Sequence, residues 1–401
     1  MTNIVNRDFK AIGVLDKLIM LFFFLYMVSY NIFSYRLGYV IISHITLFIT
    51  ISVTIVYLLL KSKLYGGKFF WLLYAFLLWS ATTYFWSPVQ SITFNKVVTL
   101  AQLCAVSYIF YNYFDTKKKI KKAILIITSS FIVLGVYTVY VYGFNNLISG
   151  SVSSRIGAEI SQENILGMSL ATGALLCFYY AYFNNKRLFY IPTIFLFLLT
   201  SFTGSRKALL IVFIGGILLF VFMNLSKNII KPVITFLLMS VILYLILQLP
   251  IFSNVMDRID GLIEGLSGNG QMEESAQIRA DMIVFGWKLF IESPFIGYGF
   301  DSFRHYWGNY TNEYTYSHNN YIEMLINGGV IAFGLYYFIY LYTLSRLSNL
   351  WLRSDKTAIL LTTLIIIQLI MDTAMVSYDS KITYIYFAIF FAFIREVELN
   401  E

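Results

Sequence analysis

Residues 208–225 read ALLIVFIGGILLFVFMNL and contain no charged side chain. A transmembrane helix needs roughly 20 mostly apolar residues, so this run spans a bilayer with a short addition at either end. Similar runs recur along the chain of 401 residues, of which 59% are hydrophobic and 12% charged. Soluble globular proteins carry about 25% charged residues. The sequence therefore predicts an all-α, polytopic membrane protein.

Apolar runs of spanning length predict about twelve transmembrane helices within a single integral membrane domain that covers residues 1–401. The runs are 12–34, 38–60, 69–86, 93–113, 123–144, 164–184, 188–204, 207–225, 230–250, 319–345, 357–377 and 382–395. The turn Gly204–Lys207 separates the seventh run from the eighth.

The positive charges indicate the orientation of these spans. Most of the 29 Lys and Arg residues lie in alternate loops, and the densest cluster is at 117–122. Short loops rich in Lys and Arg stay in the cytoplasm, so we expect both termini to be cytoplasmic. The formal net charge of +8 is therefore an orientation signal, and nucleic acid is not a predicted partner. Two cysteines and three histidines match no metal-site spacing, so neither a metal nor a cofactor is predicted.

The longest extracytoplasmic loop covers 251–318. Within it Ile278, Met282, Phe285 and Leu289 recur at helical spacing, which predicts an amphipathic helix lying on the membrane or on the bundle. Ser293-Pro294 is expected to end that helix, and 297–299 to form a tight bend. An aromatic run follows, made up of Tyr298, Phe300, Phe303, Tyr306, Trp307, Tyr310, Tyr314 and Tyr316. Such a run is typical either of membrane-interface anchors or of a surface that stacks on sugar rings.

Several cations are predicted on the outer face, against the usual orientation rule. Arg206 and Lys207 begin an apolar run, where the free N–H groups of a helix N-terminus favour an anion. Arginine there can bind phosphate in bidentate fashion, although a pair of snorkelling side chains would look the same. Arg279 and Arg155 are further outer cations, and for Arg279 a solvated charge or an ion pair is the alternative.

His318 lies where the long loop meets a span. Histidine titrates near neutral pH and can accept a proton from a hydroxyl. A capping or interfacial role would place a histidine at the same position.

Four motifs together resemble the O-antigen polymerase and ligase superfamily of bacterial envelope glycan assembly. The most specific is Ser317–Ile331, which is similar to the family's His-Asn-x-Tyr start of a span followed by Gly. The other three are Arg279 with Trp287 and 294–299, the segment 205–210, and Arg155-x-Gly157 with Asn164. In the last of these, Gln162-Glu163 replaces the Pro that the family usually has before Asn. The resemblance covers about 150–345.

This resemblance implies a multi-span glycosyltransferase of the C type (GT-C-like) that is metal-independent and inverting. Its donor would be a glycan on undecaprenyl pyrophosphate, and it would act on the outer face of the bacterial cytoplasmic (inner) membrane. Carried onto this chain, Arg206 and Arg279 would bind the pyrophosphate, with Arg155 as a lesser candidate. Lys207, beside Arg206, is a further pyrophosphate-binding candidate. His318 would activate the acceptor hydroxyl.

Two reactions fit the resemblance. A polymerase of O-antigen or capsule repeat units is favoured by the composition and the unadorned loops, and a ligase that transfers the glycan to lipid A core or another acceptor is the alternative. A polysaccharide flippase or transporter, or a non-catalytic scaffold, remains as an explanation from another class. The expected partners are the lipid-linked glycan, the lipid bilayer, and chain-length regulator and flippase proteins.

Overall fold

The computed structural model describes residues 2–148, 155–224, 274–352 and 355–399, together with the single residues 230, 234, 237, 238, 241 and 248. Within these ranges every regular element is helical, which confirms the all-α prediction. The α-helices described are α1 (Thr2–Phe33), α2 (Val40–Lys61), α3 (Lys68–Thr82), α4 (Gln90–Tyr113), α5 (Lys117–Tyr142), α6 (Phe144–Ile148), α7 (Glu163–Phe178), α8 (Tyr190–Phe202), α9 (Arg206–Asn224), α10 (Glu274–Glu292), α11 (Ser302–Thr311), α12 (Asn320–Leu352), α13 (Lys356–Met371) and α14 (Lys381–Glu398).

Seven of the described helices are long and apolar enough to cross a membrane, which confirms a polytopic membrane protein. They are Ile12–Phe33, Val40–Lys61, Gln90–Tyr113, Lys117–Tyr142, Glu163–Phe183, Arg206–Asn224 and Asn320–Trp351. Three shorter apolar helices, Phe69–Phe85, Arg187–Phe202 and Lys356–Met371, correspond to further predicted runs.

The prediction of about twelve spans is matched only in part. The run 230–250 and the first part of the long loop, 251–273, lie mostly or wholly outside the described residues. The last run, 382–395, is helical, but its uncharged stretch 382–394 measures about 20 Å at 1.5 Å per residue. That stretch is shorter than a hydrocarbon core of about 30 Å.

The chain divides into two compact units that interleave along the sequence. Unit 1 comprises Met1–Lys63, Lys118–Ile263 and Asn349–Leu364, and unit 2 comprises Leu64–Lys117, Glu264–Ser348 and Ile365–Glu401. A single membrane domain over 1–401 stays a prediction.

In unit 1, close packing of α7 brings the start of α9 into position. A Cβ added at Gly167 of α7 would overlap the side chains of Thr203 and Ser205 and crowd Ala208. Glycine at this position therefore allows the backbone of α7 to approach the α8–α9 turn, as small residues do between membrane helices.

In unit 2, the predicted amphipathic helix is α10, and its apolar stripe packs on the protein. Met282 and Leu289 are buried in a cluster with Ile322 and Ile326 of α12, and Ile278 and Phe285 pack against that cluster. The stripe predicted from the sequence is thus confirmed, and its partner is the bundle.

The same cluster corrects the interpretation of the aromatic run. Phe303 and Trp307 of α11 belong to it, with 0% and 4% of their surface exposed, and Phe300 is also fully buried. For these three residues both expectations, interface anchors and sugar stacking, are wrong. The 303/307 spacing of four residues turns both rings toward the same neighbours on α12. Tyr310 and Tyr314 are exposed.

Candidate functional site

The α8–α9 turn in unit 1 presents Arg206 and Lys207 in the first turn of a helix. α8 ends at Phe202 and α9 begins at Arg206, which confirms the turn predicted from the sequence. Gly204 has φ +60°, in the left-handed region, where glycine pays no steric penalty. The Ser205 hydroxyl accepts a hydrogen bond of 3.4 Å from the Ala208 N–H, the contact of a helix N-cap.

Arg155 holds this turn from a distant part of the chain. Its Nε donates to the Thr203 carbonyl at 2.8 Å, and its Nη2 donates to Asn164 Oδ1 at 3.1 Å. The Ser205 hydroxyl donates to the same Asn164 oxygen at 3.0 Å. A Cβ added at Gly204 would lie 3.2 Å from the Arg155 side chain. The structure thus brings together two of the sequence motifs, and Arg155 acts on the backbone that starts α9. Its predicted contact with phosphate stays a prediction.

In unit 2, His318 lies directly before α12 and is half-buried. Its φ is +55°, a conformation that few residues other than glycine adopt. The next residue, Asn319, caps the helix, because its Oδ1 accepts hydrogen bonds from the N–H groups of Tyr321 at 3.0 Å and Ile322 at 3.1 Å. The cap and the left-handed residue before it fix the direction in which the loop enters the helix.

Asn320 anchors this junction to the end of α13. Its N–H donates to the Asp372 carbonyl at 2.7 Å and its Nδ2 to Asp372 Oδ2 at 3.2 Å. Its Oδ1 accepts from the N–H groups of Ser377 at 3.0 Å and Tyr378 at 3.1 Å. Asn320 is fully buried, so these bonds connect the start of α12 rigidly to the segment after α13.

Asp372 is the hub of this network. It follows the last residue of α13 and is fully buried. Besides Asn320, its carboxylate accepts from Ser377 Oγ at 2.6 Å, Gln368 Nε2 at 2.8 Å and the Tyr337 hydroxyl at 3.1 Å. Burial raises the pKa of the Asp372 carboxyl to about 6, although the four side-chain donors favour the ionised form.

Tyr316 interacts with two predicted site residues, one through a ring contact and the other through its charge. Its ring lies against the His318 ring, with centroids 4.3 Å apart. Burial raises the pKa of the Tyr316 phenol, while the positive charges of Arg279 and Arg304 counteract that rise. The charge of Arg279 therefore acts on a phenol whose ring contacts His318, and both residues belong to unit 2.

A group of partly and fully buried charges lies in the same unit. Lys96 Nζ is 2.6 Å from Asp379 Oδ2 and 3.6 Å from Asp301 Oδ2. Glu323 is fully buried and accepts from the Ser317 N–H at 2.9 Å. Within the described residues its other oxygen, Oε1, has no hydrogen-bond partner. The Ser317 contact ties the residue before His318 to the first turn of α12.

The second loop motif docks on a break in α12. Gly328 and Gly329 leave helical geometry, and the loop N–H groups of Tyr298 and Gly299 donate to the carbonyls of Ile326 and Asn327, each at 2.8 Å. In return the Val330 N–H donates to the Pro294 carbonyl at 2.8 Å. Backbone groups freed by a break in a membrane helix must find partners inside the protein, and 294–299 supplies them.

Sequence reasoning missed Asp372 and Lys96, although each carried a signal. Asp372 is the sole charged residue of the predicted run 357–377, and Lys96 lies inside the run 93–113. Ionisable residues at such positions are costly and mark paired or functional sites. The predicted site residues themselves fall into two sets, with Arg155, Arg206 and Lys207 in unit 1 and Arg279 and His318 in unit 2.

Comparison with known proteins identifies the central part of the chain. Residues 191–337 match a family model described as O-antigen ligase. This segment is similar to the O-antigen polymerase and ligase superfamily. The matched residues include Arg206, Lys207, Arg279 and His318, whereas Arg155 lies before them. The superfamily contains both ligases and polymerases, so the similarity supports an enzyme of the glycosyltransferase kind and leaves both reactions open. No curated protein matches the chain.

Proposed function

We propose that the protein is a glycosyltransferase that polymerises oligosaccharide repeat units carried on undecaprenyl pyrophosphate, the precursors of an O-antigen or a capsular polysaccharide. The proposal is supported above all by the match of residues 191–337, which include Arg279 and His318, to the O-antigen ligase family model. The ring of Tyr316 lies against that of His318, and the charge of Arg279 acts on the same phenol. A cation that binds phosphate and a base that accepts a proton are the two groups that this transfer requires.

His318 is the proposed general base. The acceptor hydroxyl oxygen forms a bond to the anomeric carbon of the donor sugar while the bond from that carbon to the pyrophosphate oxygen breaks. The hydroxyl proton passes to the neutral imidazole, and the electron pair of the broken bond leaves with the pyrophosphate. Attack from the side opposite the leaving group inverts the configuration at the anomeric carbon.

The arginines are proposed to stabilise the leaving group. Negative charge grows on the pyrophosphate as the bond breaks, and fixed cations aimed at that charge lower the barrier. Arg279 of α10 is the proposed phosphate-binding cation of unit 2. Arg206 at the start of α9, where the helix dipole adds a partial positive charge, is the proposed phosphate-binding cation of unit 1. Lys207 adds a further charge there. Arg155 is a positioning residue for this turn, with a phosphate contact of its own as a lesser proposal. Neither a metal ion nor a cofactor is part of the reaction.

The reaction is proposed to occur on the outer face of the bacterial cytoplasmic membrane, with both chain termini in the cytoplasm. The apolar surface between spans would hold the prenyl chain, so the donor would arrive from the bilayer. A flippase that delivers the repeat units and a chain-length regulator are the proposed protein partners.

The decisive experiment is transfer by purified protein with a synthetic prenyl-pyrophosphate oligosaccharide, with and without a chelator. A general base contributes about 100- to 10,000-fold to a rate, so we expect His318→Ala to lose at least 100-fold, and Arg279→Ala a similar factor. Activity should persist in the chelator. Wild-type rates in both variants would overturn the proposed roles.

Each variant has a matched control on the same element or loop. His305→Ala removes the other loop histidine, which pairs with Asn309, and Lys288→Ala removes an exposed cation from α10. Both controls should retain activity. A size-exclusion profile identical to that of the wild type separates loss of chemistry from loss of folding.

A ligase is the second candidate, because the family model that matches is described as O-antigen ligase. Glycan banding in a deletion strain separates the two reactions. Single-repeat products indicate a missing polymerase, whereas long chains left on the prenyl carrier indicate a missing ligase. A flippase would form no glycosidic bond, so transfer by the purified protein excludes it.

A further inference from the structure

The helix α10 has a second apolar face that the sequence reasoning did not single out. Ile283, Val284, Trp287 and Ile291 follow one another at steps of one, three and four residues, on the side opposite the buried stripe of Met282 and Leu289. Their surfaces are 38%, 56%, 50% and 64% exposed. Fully exposed isolated apolar residues are normal in a protein, but a continuous stripe indicates a binding surface.

Four polar residues of α10 form a third, narrow strip along one edge between these two faces. It consists of Gln277, Asp281, Lys288 and Glu292, all exposed, and Gln277 donates to Asp281 at 3.0 Å. One side of the helix thus faces protein, the opposite side is apolar and uncovered, and an edge roughly at right angles to both is charged. A helix that lies at a membrane surface beside a transmembrane bundle meets these three environments: protein, lipid and water.

The segment that follows α10 reaches the depth of a membrane-spanning helix. Pro294 bonds to Val330 through its carbonyl, and Phe295 and Ile296, next to it, are 68% and 41% exposed. The uncharged part of α12 begins after Glu323. Its four helical residues before the break, 324–327, span about 6 Å at 1.5 Å per residue, and Val330 follows the break. An interfacial helix buries its apolar face about 5–10 Å into the boundary of the bilayer.

We infer that the exposed apolar face of α10, continued by Phe295 and Ile296, is embedded in the lipid leaflet on the side of the membrane where His318 lies. The occupant of this face is the acyl-chain region of the bilayer. Trp287 supports this assignment, because tryptophan is enriched at the membrane–water interface, and Lys288 beside it has the long stem that lets a charge reach water. The inference does not depend on the reaction that the protein catalyses.

The test uses full-length protein in nanodiscs, with Cys104 and Cys177 replaced by alanine, since both are buried and a single new cysteine then carries the label. A nitroxide is attached at position 284 or 291 through Val284→Cys or Ile291→Cys, and at the control positions through Asp281→Cys or Lys288→Cys. Collision with oxygen, which concentrates in lipid, is compared with collision with a water-soluble nickel complex.

We expect oxygen to relax the labels at 284 and 291 more strongly than nickel, and the order to reverse at 281 and 288. Stronger relaxation by nickel than by oxygen at all four positions would overturn the inference, because both faces of α10 would then be in water. Immobile labels at 284 and 291 that are shielded from both reagents would also overturn it, in favour of a protein partner or a second copy of the chain. Using two positions for each face keeps the result readable if one variant fails to fold.

Discussion

Gly329 is the position at which the structure most strictly requires a glycine. Its φ of +66° and ψ of −166° fall in a region that only glycine adopts readily. A Cβ there would overlap the carbonyl of Phe295. We expect Gly329→Ala to destabilise the protein and to release the segment 294–299 from α12.

The size of the effect follows from two contributions. Holding alanine in that backbone region costs on the order of 1–3 kcal/mol. Moving the Phe295 carbonyl away separates the Val330 N–H from its Pro294 partner, and a buried donor left unpaired costs about 1–3 kcal/mol. Together the free energy of unfolding should fall by roughly 2–6 kcal/mol.

Gly334→Ala is the matched control on the same helix. An added Cβ at Gly334 meets nothing within 4 Å, and replacing a helical glycine by alanine stabilises by roughly 0.5–1 kcal/mol. Denaturant titration in detergent, together with hydrogen exchange of the 294–300 peptide, measures both variants. Equal stability of Gly329→Ala and Gly334→Ala, with unchanged exchange, would refute the reasoning.

The remaining predictions concern the two anchors of the site. Because the pKa of Asp372 in the folded protein is about 6, above its ordinary value of 3.8, its contribution to stability is present below pH 4 and is lost as the pH rises through 6. Between pH 3.5 and 7 the free energy of unfolding of the wild type, relative to that of Asp372→Asn, should fall by about 3 kcal/mol, at 1.4 kcal/mol per pH unit. A constant difference between the two proteins would contradict this. For Arg155, both Arg155→Ala and Arg155→Lys should increase hydrogen exchange at 203–205 and lower the transfer rate, because a lysine cannot reproduce the two-point contact with Thr203 and Asn164. Full rescue by lysine would mean that Arg155 acts through its charge alone.

The features that the sequence predicted correctly are local ones. The turn at 204–207 and the buried stripe of α10 depend on spacing within one segment, which hydropathy and helical period disclose. The predicted helix ends were less accurate. The run 357–377 predicts a span that continues through Asp372, but the carboxylate is drawn into bonds with Asn320 and Ser377, and α13 ends at Met371.

The features that the sequence did not predict join distant segments. Arg155 reaches Thr203 across 48 positions and Asn320 reaches Asp372 across 52, and no local pattern specifies either pair. The lipid-facing stripe of α10 was hidden for another reason. An amphipathic pattern predicts a single apolar face, here that of Met282 and Leu289. A helix that lies between protein and lipid has two apolar faces.

Hydrogen bonds hold the loop after α10 against α12 near both ends of the segment 299–317. One runs from the Gly299 N–H to the Asn327 carbonyl and the other from the Ser317 N–H to the Glu323 carboxylate. The chain between them carries α11 and then an exposed turn at 312–314. Exposed loop tips tolerate inserted sequence best. Here the hydrogen bond of Ser317 to Glu323 separates an insertion in the turn from His318. A peptide tag placed between Asn312 and Glu313 would therefore report which side of the membrane this turn occupies in a living cell. A change in the length of the turn would leave the surroundings of His318 intact.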